Sequence, residues 1–394
     1  RQVPRRLSVR VTVHPAGDDA CALYRMVEPA RVLADQGADV DCTRDLTFKV
    51  AHSADGTPIR LVDEPDTDVV VMQRPLHRWK GDLIALLQAA GVAVVVELDD
   101  DFGSIPEGNP AWLDAHREWM TVGQWEGLGR PGPVEAEAER QDGSRWVKVL
   151  GVLAPSSEVW LRRACKLADL VTCTTPALAE RYAPHGRVAV LPNLVPERYL
   201  EVVAPAHDGT VVGWGGSHAT HVGDLESTGG GVARAVAETG ARFHVVGTGI
   251  RVQGALGLTE APTATGWVEL DEWPAALAVL DVGIVPLAAN RFNEAKSALK
   301  MLEMAAVGVP AVVSPSPDNV RLARRGVGLL AKDPAHWRQW VRLLVDNPEG
   351  RAELAGRGRE VAAESTYEAH AGRWWDAWTE ALANRRGQRQ EAAA

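Results

Sequence analysis

At 394 residues, 46% hydrophobic and 24% charged, the chain is too long for one ordinary core and too apolar for disorder, so two α/β domains are expected. A net charge of −10 gives no global attraction for nucleic acid or an anionic membrane, and no apolar run reaches the roughly 18–20 residues that cross a bilayer. The basic start Arg1–Arg10 leads into a strand-like stretch rather than a secretory core. Cys21, Cys42, Cys165 and Cys173 lack CxxC or paired-His spacing, which reads as thiols in a reducing compartment, so the cytoplasm is the expected location.

In chain order, Leu7–His14 reads as a strand, followed by the loop Pro15–Asp19 and an amphipathic helix over Ala22–Gln36 that Gly37 stops. Asp68–Met72 and Val92–Leu98 are continuous apolar runs, as in strands covered on both faces, with a helix over Gly81–Ala90 between them. Leu170–Cys173 and Val188–Leu191 are further strands around a helix at Pro176–Tyr182. Residues 103–150 interrupt this rhythm with Trp112, Trp119, Trp125 and Trp146 around a turn-rich centre at Gly127–Pro133. They read as a partly helical insertion near the mouth of a site.

A second βα rhythm follows: strands at Thr210–Trp214, Ala241–Val246, Val282–Pro286 and Ala311–Ser314, and helices at Gly229–Glu238, Trp273–Leu280 and Ala295–Ala306. A helical tail spans Trp337 to about Ala383, with Trp374, Trp375 and Trp378 as an aromatic patch. The division predicted is 1–200, 201–365 and a terminal helix over 366–394 that packs back on the first domain. The fold class is α/β, two Rossmann-like doubly wound parallel sheets facing an interdomain cleft.

Two segments carry chemistry. The first is Asn293–Glu303 with Ala306-Val307-Gly308-Val309-Pro310 after it. Read as a helix opening near Asn293, it puts Lys296, Lys300 and Glu303 on one face. The first-turn amides and Lys296 then suit a diphosphate, and Glu303 suits ribose hydroxyls. The same spacing equally describes a solvated Lys/Glu face. The second is Gly213-Trp214-Gly215-Gly216-Ser217-His218-Ala219-Thr220-His221, directly after a strand. Its glycines let backbone amides approach phosphate oxygens, and His218 and His221 can hydrogen-bond phosphate, sugar or a leaving oxygen. A plain tight turn is the alternative.

In this order and about 80 residues apart, Gly213–Asp224 and Lys296–Pro310 resemble the GT-B glycosyltransferases, particularly the large retaining group 4 and a sub-group with Gly-Trp-Gly-Gly-Ser and Lys-Ser motifs. The resemblance implies that the turn and Gly215, Gly216, Ser217, His221, Lys296, Ser297, Lys300 and Glu303 hold a UDP- or GDP-sugar. Glu303 falls at the family's second glutamate, on ribose. His221 falls where many members carry a phosphate lysine, and Gly216 where many carry arginine. Ala295 stands at the first glutamate position, and Lys296-Ser297 replace the usual Pro-Phe.

Tyr24-Arg25-Met26-Val27-Glu28-Pro29 looks like the family's first helix, with Gly17 in the preceding loop. Gly17 and Arg25 are therefore expected near the donor, although Arg25 equally suits a helix-surface salt bridge. Glu97-Leu98-Asp99-Asp100-Asp101 ends a buried strand. Mutual repulsion there raises at least one carboxyl pKa, which makes Asp100 a candidate base and Asp99 an acceptor contact with Trp112 and Trp119. A structural cap, or an Asp-x-Asp metal site, are the other readings of the same residues. His218 is the second candidate catalytic group.

The expected activity is metal-independent, retaining sugar transfer with no cofactor beyond the nucleotide-sugar co-substrate. The acceptor is a saccharide, protein, small molecule or hydroxylated base in DNA. Arg117, Arg130, Arg140, Arg145 and Lys148 among the tryptophans suit stacking on bases with phosphate contacts and equally suit sugar rings, while the net charge of −10 leans against DNA. A non-catalytic nucleotide-sugar-binding protein is the reading from another class. No Gly-x-Ser-x-Gly elbow, Walker loop or Gly-x-Gly-x-x-Gly with its acidic partner is present.

Overall fold

Val69–Gln73 (β5) and Ala93–Leu98 (β6) are buried at every residue, because unbroken runs of β-branched side chains need cover on both sides. They form the centre of a six-stranded, all-parallel sheet in a computed structural model that describes residues 9–53, 56–112, 117–127, 129–130, 134–139, 143–150 and 157–393. Around them lie β1 (Arg10–His14), β2 (Asp39–Cys42), β10 (Leu170–Cys173) and β11 (Val188–Val190), in the order β11-β10-β6-β5-β1-β2. Leu7 and Ser8 of the expected first strand lie outside the described residues. Val50–His52 (β3) and Pro58–Leu61 (β4) form a small antiparallel pair beside the sheet.

The helix after β1, α1, spans residues 20–35 and contains a π turn over Leu23–Val27. The carboxylate of Asp19 caps its start by accepting the Ala22 N–H (2.8 Å). The wider turn buries Tyr24, Arg25 and Met26 together. Helix α2 (Arg78–Ala89) connects β5 to β6.

The insertion is partly helical, as expected, and also holds a three-stranded sheet that was not foreseen. Arg117–Thr121 (β7), Val134–Glu139 (β8) and Arg145–Leu150 (β9) pair antiparallel in the order β7-β9-β8, with the short helix Val122–Gly127 (α3) after β7. Its own small core is Val147 and Val149 against Val122, Trp125 and Val134. Along Trp146–Val149 it is burial that alternates, with Val147 and Val149 buried and Trp146 and Lys148 half-buried, the period-2 pattern of a strand covered on one face. Ser157–Leu167 (α4) and Pro176–Tyr182 (α5) complete the unit, the latter capped by Thr175.

The second unit covers Pro192–His370. Its six parallel strands run β14-β13-β12-β15-β16-β17, from Val211–Gly215 (β12), Arg242–Val246 (β13), Thr263–Gly266 (β14), Val282–Val285 (β15), Ala311–Val313 (β16) and Gly328–Leu330 (β17). Helices α6 (Gly231–Thr239), α7 (Val252–Leu256), α8 (Trp273–Leu277), α9 (Arg291–Glu294), α10 (Leu299–Ala306) and α11 (Pro317–Ala323) alternate with them. Then come α12 (Pro334–Asp346) and α13 (Pro348–Ala363). Trp214 and Trp337 fill the core of this unit with Val212, Val232, Ile284 and Val341.

The tail is helical, as expected, and is made of several helices. Its last, α14 (Gly372–Ala393), belongs to the first unit, with Arg1–Leu191. It packs against β5, β6 and β10, burying Trp374 and Trp378 completely. No described helix is long and apolar enough to cross a membrane.

Candidate functional site

Strand β12 ends in Gly215 and continues into a turn that no larger residue could form. Gly216 has φ +147°, and a Cβ there would stand 2.7 Å from Lys300 Nζ. Gly247, at the end of the adjacent β13, has φ +126°, and its Cβ would stand 2.3 Å from the Gly216 carbonyl oxygen. Two backbone segments and one ammonium therefore meet where side chains are excluded.

The lysine arrives by a route that corrects the single helix expected from Asn293. Helix α9 stops at Glu294 and α10 starts at Leu299, so Lys296 and Ser297 lie in the connection while Lys300 stands in the first turn of α10. Side chains from elsewhere hold the break open. Asp318 accepts the Ala298 N–H (2.7 Å), and Asn193 Nδ2 donates to Ser297 Oγ (2.8 Å). Asn290 caps α9 by accepting the Asn293 N–H (2.8 Å). Lys296, Lys300 and Glu303 thus do not share one helical face.

Lys300 is half-buried. Its Nζ donates to the Gly215 carbonyl at 2.5 Å and lies 5.6 Å from the centre of the Trp214 ring. Burial lowers its pKa to about 8, Glu303 opposes that shift and Lys296 adds to it. Glu303 itself is buried, and the Lys296 ammonium lies 4.5 Å from the centre of the Phe292 ring.

His221 closes the same turn. Its Nδ1 lies 2.8 Å from Asp224 Oδ2, and its ring meets Trp214 edge-on at 5.6 Å. Asp224 Oδ1 accepts from Asn293 Nδ2 (2.7 Å) and from the Ala288 N–H (2.8 Å). Burial pushes the imidazole down to about 4, Lys300 adds to the shift, and the bond to Asp224 opposes it. His218 Nε2 lies 3.5 Å from Glu226, and Ser217 is half-buried in the turn. The structure therefore gathers Gly215, Gly216, His221 and Lys300, with Lys296 and Glu303 acting on Lys300 through charge. Sequence reasoning did not single out Asp224, Asn293 or Gly247. The spacing His221-x-x-Asp224 was the one local signal for the first of them.

In the first unit the carboxyl edge of the sheet is neutralised internally. The expected repulsion among Glu97, Asp99 and Asp101 is offset rather than absent: each faces an arginine, yet after burial Asp99 still adds to the upward shift of Glu97. Arg74 binds Asp99 through two nitrogens and reaches Asp19 at 3.2 Å; Arg181 pairs with Asp101. Burial alone would raise the Asp99 carboxyl, but Arg74 outweighs it and holds it at about 2. Arg74 adopts φ +47°, a left-handed conformation uncommon for a residue with a side chain.

Arg25, expected near a phosphate or the acceptor, is 1% exposed and fully engaged, which corrects that assignment. Its Nε donates to Glu97 Oε1 (2.7 Å), one terminal nitrogen to the Leu191 carbonyl (2.7 Å), and the guanidinium lies 5.6 Å from the Trp374 ring centre. Burial raises the Glu97 carboxyl, against the pull of Arg25. Gly17 lies in the loop after β1, where an added Cβ would meet nothing within 4 Å. Asp100 and Trp112 are half-buried at the ends of β6 and of the segment after it. Arg140 and the side chains of Arg117 and Trp119 lie outside the described residues; Trp119 is placed only by its backbone, opposite Lys148. Among the described residues, no group of three or more His, Cys, Asp or Glu side chains is arranged to hold a metal ion.

Residues 231–347 match the family "Glycosyl transferases group 1". That segment includes Lys296, Lys300 and Glu303 and leaves the glycine turn just outside it. No curated protein matches the chain by sequence. Among solved structures, HepE of Anabaena in complex with UDP and glucose aligns at TM-score 0.58 and 12% identity, covering 93% of this chain and 98% of its own. A glycosyltransferase from Rickettsia africae aligns at TM-score 0.57 and 10% identity, covering 95% and 98%. The pneumococcal O-GlcNAc transferase GtfA, in complex with UDP and GlcNAc, aligns at TM-score 0.51 and 11% identity, covering 80% and 57%. At such identities these likenesses establish the fold, which is GT-B: two parallel-sheet Rossmann-like domains.

Proposed function

We propose that this chain, a glycosyltransferase of the GT-B fold, moves a sugar from a UDP- or GDP-sugar to an acceptor hydroxyl, with retention and without a divalent metal. One observation carries the reading. Lys300 is a half-buried cation with a backbone carbonyl as its hydrogen-bond partner, held against the Gly215–Gly216 turn at the carboxyl end of β12. Doubly wound sheets bind ligands at that edge, and a partly desolvated ammonium beside a glycine turn attracts an anion. Charge developing on a departing diphosphate is stabilised there by Lys300 and Lys296 together, the task a metal ion performs elsewhere.

The neighbouring loops support a nucleoside on that diphosphate. Gly247 packs on the Gly216 carbonyl, and the Gly266 N–H donates to the Gly247 carbonyl at 3.2 Å, so the ends of β12, β13 and β14 form a continuous row. Ile250 and Trp267, 75% and 76% exposed, follow β13 and β14. Strands about 4.8 Å apart put Trp267 roughly 10 Å from the turn, the reach from a pyrophosphate to its base. Trp267 is the shelf on which the base stacks, and Glu303 binds the ribose, as the family resemblance implies. Asp100 remains the candidate base toward the acceptor.

A thermal-shift and titration series with UDP, GDP and their sugars on the wild type, Lys300→Ala, Glu303→Ala and Trp267→Ala tests the donor site. Binding lost in all three variants with unchanged melting supports it; wild-type affinity in Lys300→Ala refutes it. Turnover in excess EDTA and NMR of the product anomer test the metal and stereochemical parts separately. Alanine at the first family glutamate position, Ala295, makes the anomer the more informative measurement.

A further inference from the structure

The Asp224–His221 pair asks for a role that a phosphate-binding turn does not by itself explain. Asp224 accepts three hydrogen bonds, from the His221 ring, Asn293 and the Ala288 amide. An ionised carboxylate only accepts, so the proton of the neutral imidazole sits on Nδ1 and Nε2 carries a lone pair. That nitrogen has no partner in the turn and is not sealed from solvent, although the residue is 9% exposed. The charged groups that bear on the ring are Lys300 from the first turn of α10, Lys296 from the connection before it, and Asp224 from its own turn. His218 and Glu226 face one another, and Glu303 acts on Lys300.

We propose that His221 is a proton-gated cation of the donor site: it is neutral in the empty protein and takes up one proton from solvent when a nucleoside diphosphate binds. The new N–H at Nε2 then donates to a phosphate oxygen, and Asp224 stabilises the resulting imidazolium through Nδ1. Burial, with two ammonium groups adding to it, keeps the ring neutral while the site is empty, and the incoming phosphates cancel the ammonium repulsion and reverse its sign. Asp224 and Asn293 are positioning residues, fixing which ring nitrogen faces the ligand. The inference rests on the donor-site reading above, and it adds that donor affinity depends on pH through one identified group.

The test is calorimetric titration of UDP into the full chain at about pH 7, in buffers of different ionisation enthalpy, for the wild type and His221→Lys. The nucleotide's own terminal phosphate, with pKa about 6, and Lys300 titrate in both proteins, so their difference belongs to His221. The expected result is close to one additional proton taken up by the wild type. Equal uptake in the two proteins overturns the proposal while leaving the donor site intact, whereas failure of the wild type to bind UDP or GDP overturns both. His221→Gln gives an independent reading. A charge-assisted hydrogen bond corresponds to about tenfold in affinity, so this variant should bind UDP about tenfold more weakly at pH 6 and nearly normally at pH 8.5. The same loss at both pH values would also overturn the proposal.

Discussion

The carboxyl edges of the two sheets are built from the same topology and treat charge in opposite ways. In the first unit Glu97, Asp99 and Asp101 each have an arginine, drawn from α1, from the end of β5 and from α5. In the second, Lys300 is half-buried and, among the described residues, has the carbonyl of Gly215 as its hydrogen-bond partner. Breaking a buried pair strands a charge, so those arginines are committed to structure. A cation that no carboxylate pairs is already desolvated for an anion that arrives later. Burial alone therefore does not mark a functional charge; what matters is whether the fold also supplies its counter-ion.

The sharpest way to break this comparison is Arg25→Ala. Removing one partner of a buried pair costs about 3–5 kcal/mol, so denaturant unfolding should show a large loss of stability. An unchanged midpoint with impaired turnover would move Arg25 from scaffold to site. Next is Lys300→Ala, where losing one preorganised charge costs roughly 10²–10³-fold in turnover, with the melting temperature unchanged or raised. Gly247→Ala comes third. A Cβ aimed at the Gly216 carbonyl, at φ +126°, costs on the order of 1–3 kcal/mol and should weaken UDP binding by displacing the turn.

Two smaller effects concern pH. Lys300, lowered to about 8, loses its charge as pH rises through that value, so UDP affinity should decline above about pH 8 and Lys300→Arg should remove the decline. The folded protein holds His221 near 4, below the ordinary 6.5, so the unfolded chain binds the extra proton first. Stability from this group is present above 6.5 and is lost as pH falls toward 4. His221→Gln should flatten that part of the melting-temperature profile; an identical slope would remove His221 from the account.

Much of the scaffold was legible because its signals are local. The run Val69–Gln73 announces a buried parallel strand within five residues, and the Gly213–Gly216 turn announces a close backbone approach. The charge partners were not legible, since Arg25 and Glu97, or Arg181 and Asp101, lie 72 and 80 residues apart. Nor was the break before α10. Local spacing favours a continuous helix through Lys296, but Asp318 and Asn193, 20 and 104 residues away, supply the hydrogen bonds that end it. Carboxylates adjacent in sequence suggested repulsion for the same reason: their neighbours in space were hidden.

Helix α14 carries a last consequence, for the order in which the chain can finish folding. The first unit takes Trp374, Trp378, Ala381 and Leu382 into its interior from the end of the sequence, whereas the second unit is a single continuous stretch. During synthesis, residues up to Leu191 must wait for some 180 more before that interior can close, while the second unit is contiguous from Pro192 to His370. A ribosome paused near His370 would hold one completed half and one with its tryptophan sockets empty.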